Sequence, residues 1–444
     1  MDMQKYYIDG YSLTIEKIVS AAKGELGVIC MAPEAIEKCE GSRNQITKWL
    51  EKGAPVVYGV NTGLGNLKDT VLSPEDHLKW NKTIPYPHAV GMGDAISPDI
   101  TRASLLIRAN VLCRGYSAVR PELIQRMLDI FNKGISPVVL ELGSTGLSDL
   151  GPLAQSAMVV AGLEEAEVFY QGKRRKANEC FLEAGLEPVF QLECKEVLAQ
   201  MNGSTMTQAI AVFACHNMQQ LLNIEREIEK SLNTDEKFQI DSKGKVYSAI
   251  EQSFEFISGI VNFENNVSCD NPLLFEVGSG NYEPVMGCNC SNTQVGFALD
   301  LLNVLIAEKS NYIHEMICQL ESEQYRIRKL RDLASSLVRE IKALCLPASA
   351  DSIPTKGNQE DHVEFSYGAA RKAMKAIGLY KLLLSCFIDT LLVEETNKNN
   401  ELEVGIIKDV KEYLDTMKNV DLPFGSLEAI EKYLEKHFSL IGLA

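Results

Sequence analysis

Apolar residues recur at helical spacing along most of this 444-residue chain. From Arg102 to Cys113 they fall on one broad face, and Gly115 offers a C-terminal stop. From Gln294 to Ile317 the pattern is longer and richer. Val295, Leu299, Leu302 and Ile306 keep the helical spacing, while Phe297 and Leu301 widen the stripe. A helix apolar around most of its girth is buried on most sides. A third long helical pattern covers Ala369 to Leu392. Strand alternation is rare, and the short pieces at Val56-Val57 and Val138-Val139 are its only candidates. The expectation is a mostly α protein forming one continuous unit. Residues 1–200 are assigned to a loop-rich N-terminal region, and 201–444 to a central helical bundle with C-terminal helices.

Three polar breaks interrupt the helical pattern. Gly59 to Gly65 carries three glycines with an Asn and a Thr, Gly143 to Pro152 carries three glycines and a proline, and Pro354 to Asp361 is polar. Taken singly each is a connector. Loops held between long rigid helices are also where binding and chemistry concentrate.

Composition narrows the choice of function. The chain is 45% hydrophobic and 23% charged with a formal net charge of −16, which excludes the footprint of a nucleic-acid binder. The densest basic run, Lys173 to Lys176, is read as a solvated loop. Met1 to Gly10 is polar and lacks the apolar core of a secretion signal. No run of about 18 apolar residues occurs, so no membrane span is expected. The twelve cysteines are scattered apart from Cys288 and Cys290, with no zinc-type spacing. That predicts no metal, reduced thiols and a cytoplasmic location.

Several segments share their wording with one family. Tyr58-Gly59-Val60-Asn61-Thr62-Gly63-Leu64-Gly65 resembles the Tyr-Gly-Val-Asn-Thr-Gly-Phe-Gly loop of the histidine and phenylalanine ammonia-lyases. His88-Ala89-Val90-Gly91 resembles their Ser-His-Ala-x-Gly segment, and Arg108-Ala109-Asn110 with Val119-Arg120-Pro121-Glu122 continues the likeness. Asn202-Gly203-Ser204 stands where the family has Asn-Gly-Thr. Asp270-Asn271-Pro272-Leu273 recurs, and Asp351-Ser352-Ile353-Pro354 leads into Asn358-Gln359-Glu360-Asp361-His362. The segments come in the family's order from about residue 55 to about residue 375.

The resemblance implies a bundle of long antiparallel helices, a homo-oligomer (most often a tetramer) and a small amino-acid-derived substrate. It also implies roles. Tyr58 would be the base that removes a β-proton. Asn202 and Glu360 would complete the catalytic set, with Ser148 in the loop that builds the family's electrophile. Gly65, His88, Asn289 and Gln359 would contact substrate. The chemistry needs such a set, because a β-proton is weakly acidic and an ammonium leaves poorly without an electrophile, a base and placed polar partners.

The chain departs from the family at the electrophile. Family members cyclise an internal Ala-Ser-Gly to a methylidene-imidazolone, within Gly-Ser-Val-Gly-Ala-Ser-Gly-Asp-Leu. Here the loop reads Gly143-Ser144-Thr145-Gly146-Leu147-Ser148-Asp149-Leu150, one residue shorter and without Ala-Ser-Gly. Glycine lets a backbone nitrogen approach a carbonyl two residues earlier, and Asp149 puts a side chain at that nitrogen. Ser144-Thr145-Gly146 is a formal alternative precursor. Phe238 to Asp241 occupies the place of a Tyr-Ser-Leu-Arg segment that binds the substrate carboxylate. Cys288 and Cys290 replace part of an aromatic-contact segment and are candidate nucleophiles if a base lowers their pKa. The expectation is therefore a lyase-like enzyme that works without the imidazolone and has no cofactor. The alternatives are a catalytically inactive relative that binds a ligand or partner, or a conventional ammonia-lyase or aminomutase with an atypical precursor.

Overall fold

Pro33, Pro74, Pro98 and Pro121 each open a helix. At that position the missing N–H is not needed and the fixed φ suits the first turn. A computed structural model describes residues 4–51, 55–63, 70–232, 242–320, 324–355, 360–398, 405–417 and 425–444. Long helices dominate it. Thr205–Leu232 has 28 residues, Thr293–Gln319 has 27 and Ser366–Lys398 has 33. At about 1.5 Å per residue the last of these runs for roughly 50 Å.

Ser366–Lys398 is the axis of the bundle. It packs against Thr205–Leu232, Thr293–Gln319 and Tyr325–Ala343, and Lys243–Glu264 lies alongside Thr293–Gln319. Tyr380, Leu383, Leu384, Phe387 and Ile388 are buried along it, at the i, i+3, i+4, i+7 spacing that makes a core-facing stripe. Emptying one such position, as in Phe387→Ala, costs about 3–5 kcal/mol. Residues Ser366–Glu394 are long and apolar enough to cross a membrane by length and composition, yet most of that stretch is buried inside the bundle. It is the core helix of this fold.

The three helical patterns are borne out with shifted ends. The first helix is Pro98–Leu112, and Gly115, at φ 81°, donates its N–H to Leu112 O just beyond it. The 293–319 helix buries Val295, Leu299, Leu302 and Ile306 but leaves Phe297 56% exposed, because no other described part of the chain covers that side. The strand expectations fail. Val57 donates its N–H to the Asn61 side chain in a turn, and Val138-Val139 lies between the strands Ser136–Pro137 and Leu140–Leu142. The basic run Lys173–Lys176 is a strand rather than a loop. It pairs with Glu167–Tyr170, and its charges stay at the surface, Arg174 against Glu167 at 2.6 Å and Arg175 against Glu183 at 2.7 Å.

Candidate active site

The loop from Gly143 to Asp149 runs through backbone on both sides. A Cβ at Gly143 would lie 2.6 Å from Val90 O, and one at Gly146 would lie 2.6 Å from Ser366 N. Both glycines have positive φ, 156° and 101°, so no other residue fits the path without strain. Ser148 is buried at φ 62°, and a non-glycine residue in that region marks a held conformation. Its hydroxyl accepts the Gly203 N–H at 2.8 Å and donates to Met201 O at 3.2 Å. The next residue repeats the link, Asp149 N–H donating to Gly203 O at 2.8 Å.

Four helices begin around this loop. Asp149 precedes Leu150–Ala161, and its carboxylate accepts Thr207 N–H at 2.7 Å in the first turn of Thr205–Leu232. Ser144 Oγ at 2.7 Å and Thr207 Oγ1 at 3.0 Å complete its partners. Ser204 Oγ lies within hydrogen-bond distance of Gly146 O and Cys290 O, and Glu364 accepts Asn292 N–H at the start of Thr293–Gln319. Ser366–Lys398 starts against Gly146. Each helix start carries about half a positive charge, so their convergence favours negative charge developing at the loop. Burial pushes the Asp149 carboxyl up to about 6, against its hydrogen bonds and with Glu364 adding to the rise. Burial also raises Glu364 and Tyr367. Asn202 Oδ1, Glu364 Oε2 and Tyr367 Oη are buried polar atoms without a hydrogen-bond partner among the described residues.

Asp270 and Asn271 tie the other loops together. A Cβ at Gly59 would lie 2.9 Å from Leu198 and 3.3 Å from Pro272, which sets the Tyr58 turn beside residues 198 and 272. Cys194 Sγ donates to Val60 O at 3.0 Å below it. Asn289 Nδ2 donates to Asp270 O at 3.3 Å, and Gly287 N–H to Asn271 Oδ1 at 3.2 Å. Asp270 itself is fully buried with Lys195 and Ser117.

The structure thus brings Ser148 to the Asn202 turn, and joins the Tyr58 and Asn289 loops through 270–272. The other expected residues are held more locally. The His88 ring is anchored by Nδ1 to Ile84 O at 2.8 Å, while its neighbours Val90 and Gly91 abut Gly143 and Leu142. Glu360 exchanges backbone hydrogen bonds with Thr355 and accepts Thr355 Oγ1 at 2.6 Å. Gly65, Gln359 and the 238–241 segment lie outside the described residues. Burial pushes the Cys290 thiol up to about 12, which removes it as a ready nucleophile. Glu364 and Tyr367 escaped the sequence reading, and Arg108 entered it only as part of the family likeness, without a role. Arg108 sits mid-helix where the pattern reads as core, and the other two lie just past the last recognised segment.

A long-helix bundle with a chemically equipped loop at the helix starts defines the class. The chain belongs to the aromatic amino acid lyase family, whose profile matches residues 13–228 and 236–392. It is 30% identical over 443 aligned residues to the histidine ammonia-lyase of Caldanaerobacter subterraneus subsp. tengcongensis, covering 84% of this chain and 85% of that protein. It is 32% identical to the histidine ammonia-lyase of a Bacillus cereus strain, covering 85% and 86%. The crystal structure of histidine ammonia-lyase from Trypanosoma cruzi superposes with a TM-score of 0.83 at 25% identity, covering 98% of this chain and 94% of that one. The tyrosine aminomutase of Streptomyces globisporus shares the fold, with a TM-score of 0.84 at 19% identity, covering 98% of each chain.

These relatives correct the expectation of a cofactor-free enzyme. The family they define normally carries the methylidene-imidazolone, and membership rests on most of the chain. They give no support to an inactive relative either. What the loop keeps is a buried serine in a tight turn, pinned from both sides by Gly203. Asn202 Oδ1 is buried and unpartnered beside it. The residues present fit the group in these respects, with Leu147, Ser148 and Asp149 as the segment that would hold it. Thr145, at the centre of the alternative precursor, is exposed.

Proposed function

We propose that this chain is a conventional aromatic amino acid ammonia-lyase, with histidine the first substrate to test. The observation that carries the reading is the Ser148 turn, locked to Asn202-Gly203 where four helices begin. When formed, the imidazolone supplies the electrophile that makes the amine a leaving group. The remaining work belongs to side chains. Tyr58 takes the β-proton, the C–H electrons become the double bond, and the C–N electrons leave with the nitrogen as ammonia. Asn202 and Glu360 orient the reacting groups, and His88 and Asn289 contact the substrate. The convergent helix starts hold electron density that accumulates near the loop.

The enzyme works as a homo-oligomer, in our reading a tetramer. Phe256 and Phe263 on one helix, and Phe297 and Val304 on its neighbour, are 61%, 66%, 56% and 48% exposed. Each pair is seven residues apart and so shares one face of its helix, exposed apolar surface of the kind that marks an interface. All twelve cysteines are free thiols, which supports a cytoplasmic setting. The test is direct. Histidine, phenylalanine and tyrosine are each incubated with the protein while ammonia and the unsaturated acid are followed. Release of both from at least one is expected, and no ammonia from any of them overturns the reading.

A further inference from the structure

Arg108 is buried in the middle of Pro98–Leu112, 2% exposed. Among the described residues its guanidinium meets no carboxylate. Nε donates to Thr205 Oγ1 at 3.2 Å, and Nη1 lies within reach of Asn202 O at 2.9 Å, Ala199 O at 3.3 Å and Cys269 Sγ at 3.3 Å. All four partners are neutral atoms, and three lie on the short stretch 199–205. A buried charge is costly unless well compensated, and a structural filler at this place needs none. The fork instead closes the end of the Glu196–Met201 helix onto the start of Thr205–Leu232 and fixes the turn between them.

That turn is the one that holds the electrophile loop. Gly203 has φ 132°, and a Cβ there would lie 2.6 Å from Arg108 Nη2 and 2.6 Å from Cys269 Sγ. The guanidinium therefore packs directly against the Gly203 backbone. From one side Arg108 sets the carbonyls of Ala199 and Asn202. From the other, Gly203 sets the Ser148 hydroxyl and the Asp149 amide.

We propose that Arg108 is a positioning residue for the lyase reaction, fixing the Asn202-Gly203 turn that holds the uncyclised Leu147–Asp149 segment for ring closure and keeps Asn202 in place. This rests on the lyase reading. The role depends on two nitrogens of one rigid group, Nη1 reaching Ala199 O and Asn202 O while Nε reaches Thr205 Oγ1, so lysine does not substitute. A displacement of about 1 Å in such a turn costs about a hundredfold in rate. Arg108 is 2% exposed and acts through the turn, so the loss is expected on kcat.

The experiment compares wild type with Arg108→Lys and Thr205→Val, the second removing only the Nε acceptor. Melting temperature, oligomer size, kcat, KM and the intact mass of the peptide containing Leu147–Asp149 are read, two lost waters marking cyclisation. In Arg108→Lys, kcat is expected to fall tenfold or more with KM within about threefold, the melting temperature staying near wild type. The fraction of peptide short of two waters falls with it. Thr205→Val shifts the same readouts in the same direction by less, and decides the matter if Arg108→Lys does not fold. Arg108→Gly should regain turnover on adding guanidinium. Full kcat and full water loss in both folded variants overturn the proposal, as does a loss carried by KM alone or one that guanidinium does not restore. Wild type without ammonia release but with the water loss sinks the lyase reading alone, since the peptide mass still reads Arg108. Wild type with neither sinks both.

Discussion

Ser148 Oγ accepts the N–H of Gly203 at 2.8 Å, across 55 residues of chain. With the reciprocal bond from Asp149 N–H to Gly203 O, this makes the glycine a clamp on the loop before ring closure. Gly203→Ala would put a methyl group into Arg108 Nη2 and Cys269 Sγ at a φ of 132°. The variant is expected to lose about 1–3 kcal/mol of stability and most of its turnover. Denaturant unfolding with a kinetic assay checks this, and a variant as stable and active as wild type would count against the clamp.

Tyr58→Phe deletes one hydroxyl from a half-buried ring. If Tyr58 is the base, kcat falls by about a hundredfold to ten-thousandfold, while melting and oligomer size hold. Retained turnover would remove Tyr58 from that role.

Asp149 gives stability a pH dependence of definite sign. Its carboxyl is raised from an ordinary 3.8 to about 6 by burial, so the folded protein holds this proton more tightly than the unfolded chain does. Between those values the unfolded group has ionised and the folded one has not. Stability from this residue is therefore present at low pH and lost as pH rises through the window, on the order of 3 kcal/mol at its end. Glu364, also raised by burial, acts in the same direction. In Asp149→Asn the Asp149 share of the slope disappears. The melting-temperature difference, variant minus wild type, should grow between about pH 4 and 6.5, and a constant difference would contradict this.

Lys195 and Asp270 form an ion pair with both side chains fully buried. Lys195→Met leaves the Asp270 charge uncompensated, at a cost of about 3–5 kcal/mol. Because Asn289 and Gly287 hang on residues 270 and 271, the site should loosen with the fold. Chemical denaturation measures the first effect and KM the second.

Much of this was legible in the sequence, and for physical reasons. The long helices are written in the spacing of Val295, Leu299, Leu302 and Ile306, which only a buried helix face requires. The loops around Tyr58 and Asn202 are written in glycines such as Gly59, whose φ of 69° no ordinary side chain adopts easily. What was not legible depends on long-range contact. Arg108 reads as a core position gone polar until residues 199–205 are folded over it. Ser148 reads as a fragment of a lost motif until Gly203 is seen to hold it. Lys173–Lys176 reads as a solvated turn because charge alone carries no sign of a strand partner at Glu167–Tyr170.

The double link at Gly203 also bears on how the molecule breathes. Before ring closure the Gly203 and Asp149 amides point into acceptors shared between two helix starts, so neither proton can be reached by solvent through fraying of a single segment. Their hydrogen exchange belongs with the slowest class, released only when the bundle itself opens. A loop locked into the global folding unit before ring closure, which itself takes the Ser148 hydroxyl and the Asp149 N–H, cannot serve as a gate. Whatever admits substrate and lets product go has to be a less protected part of the chain.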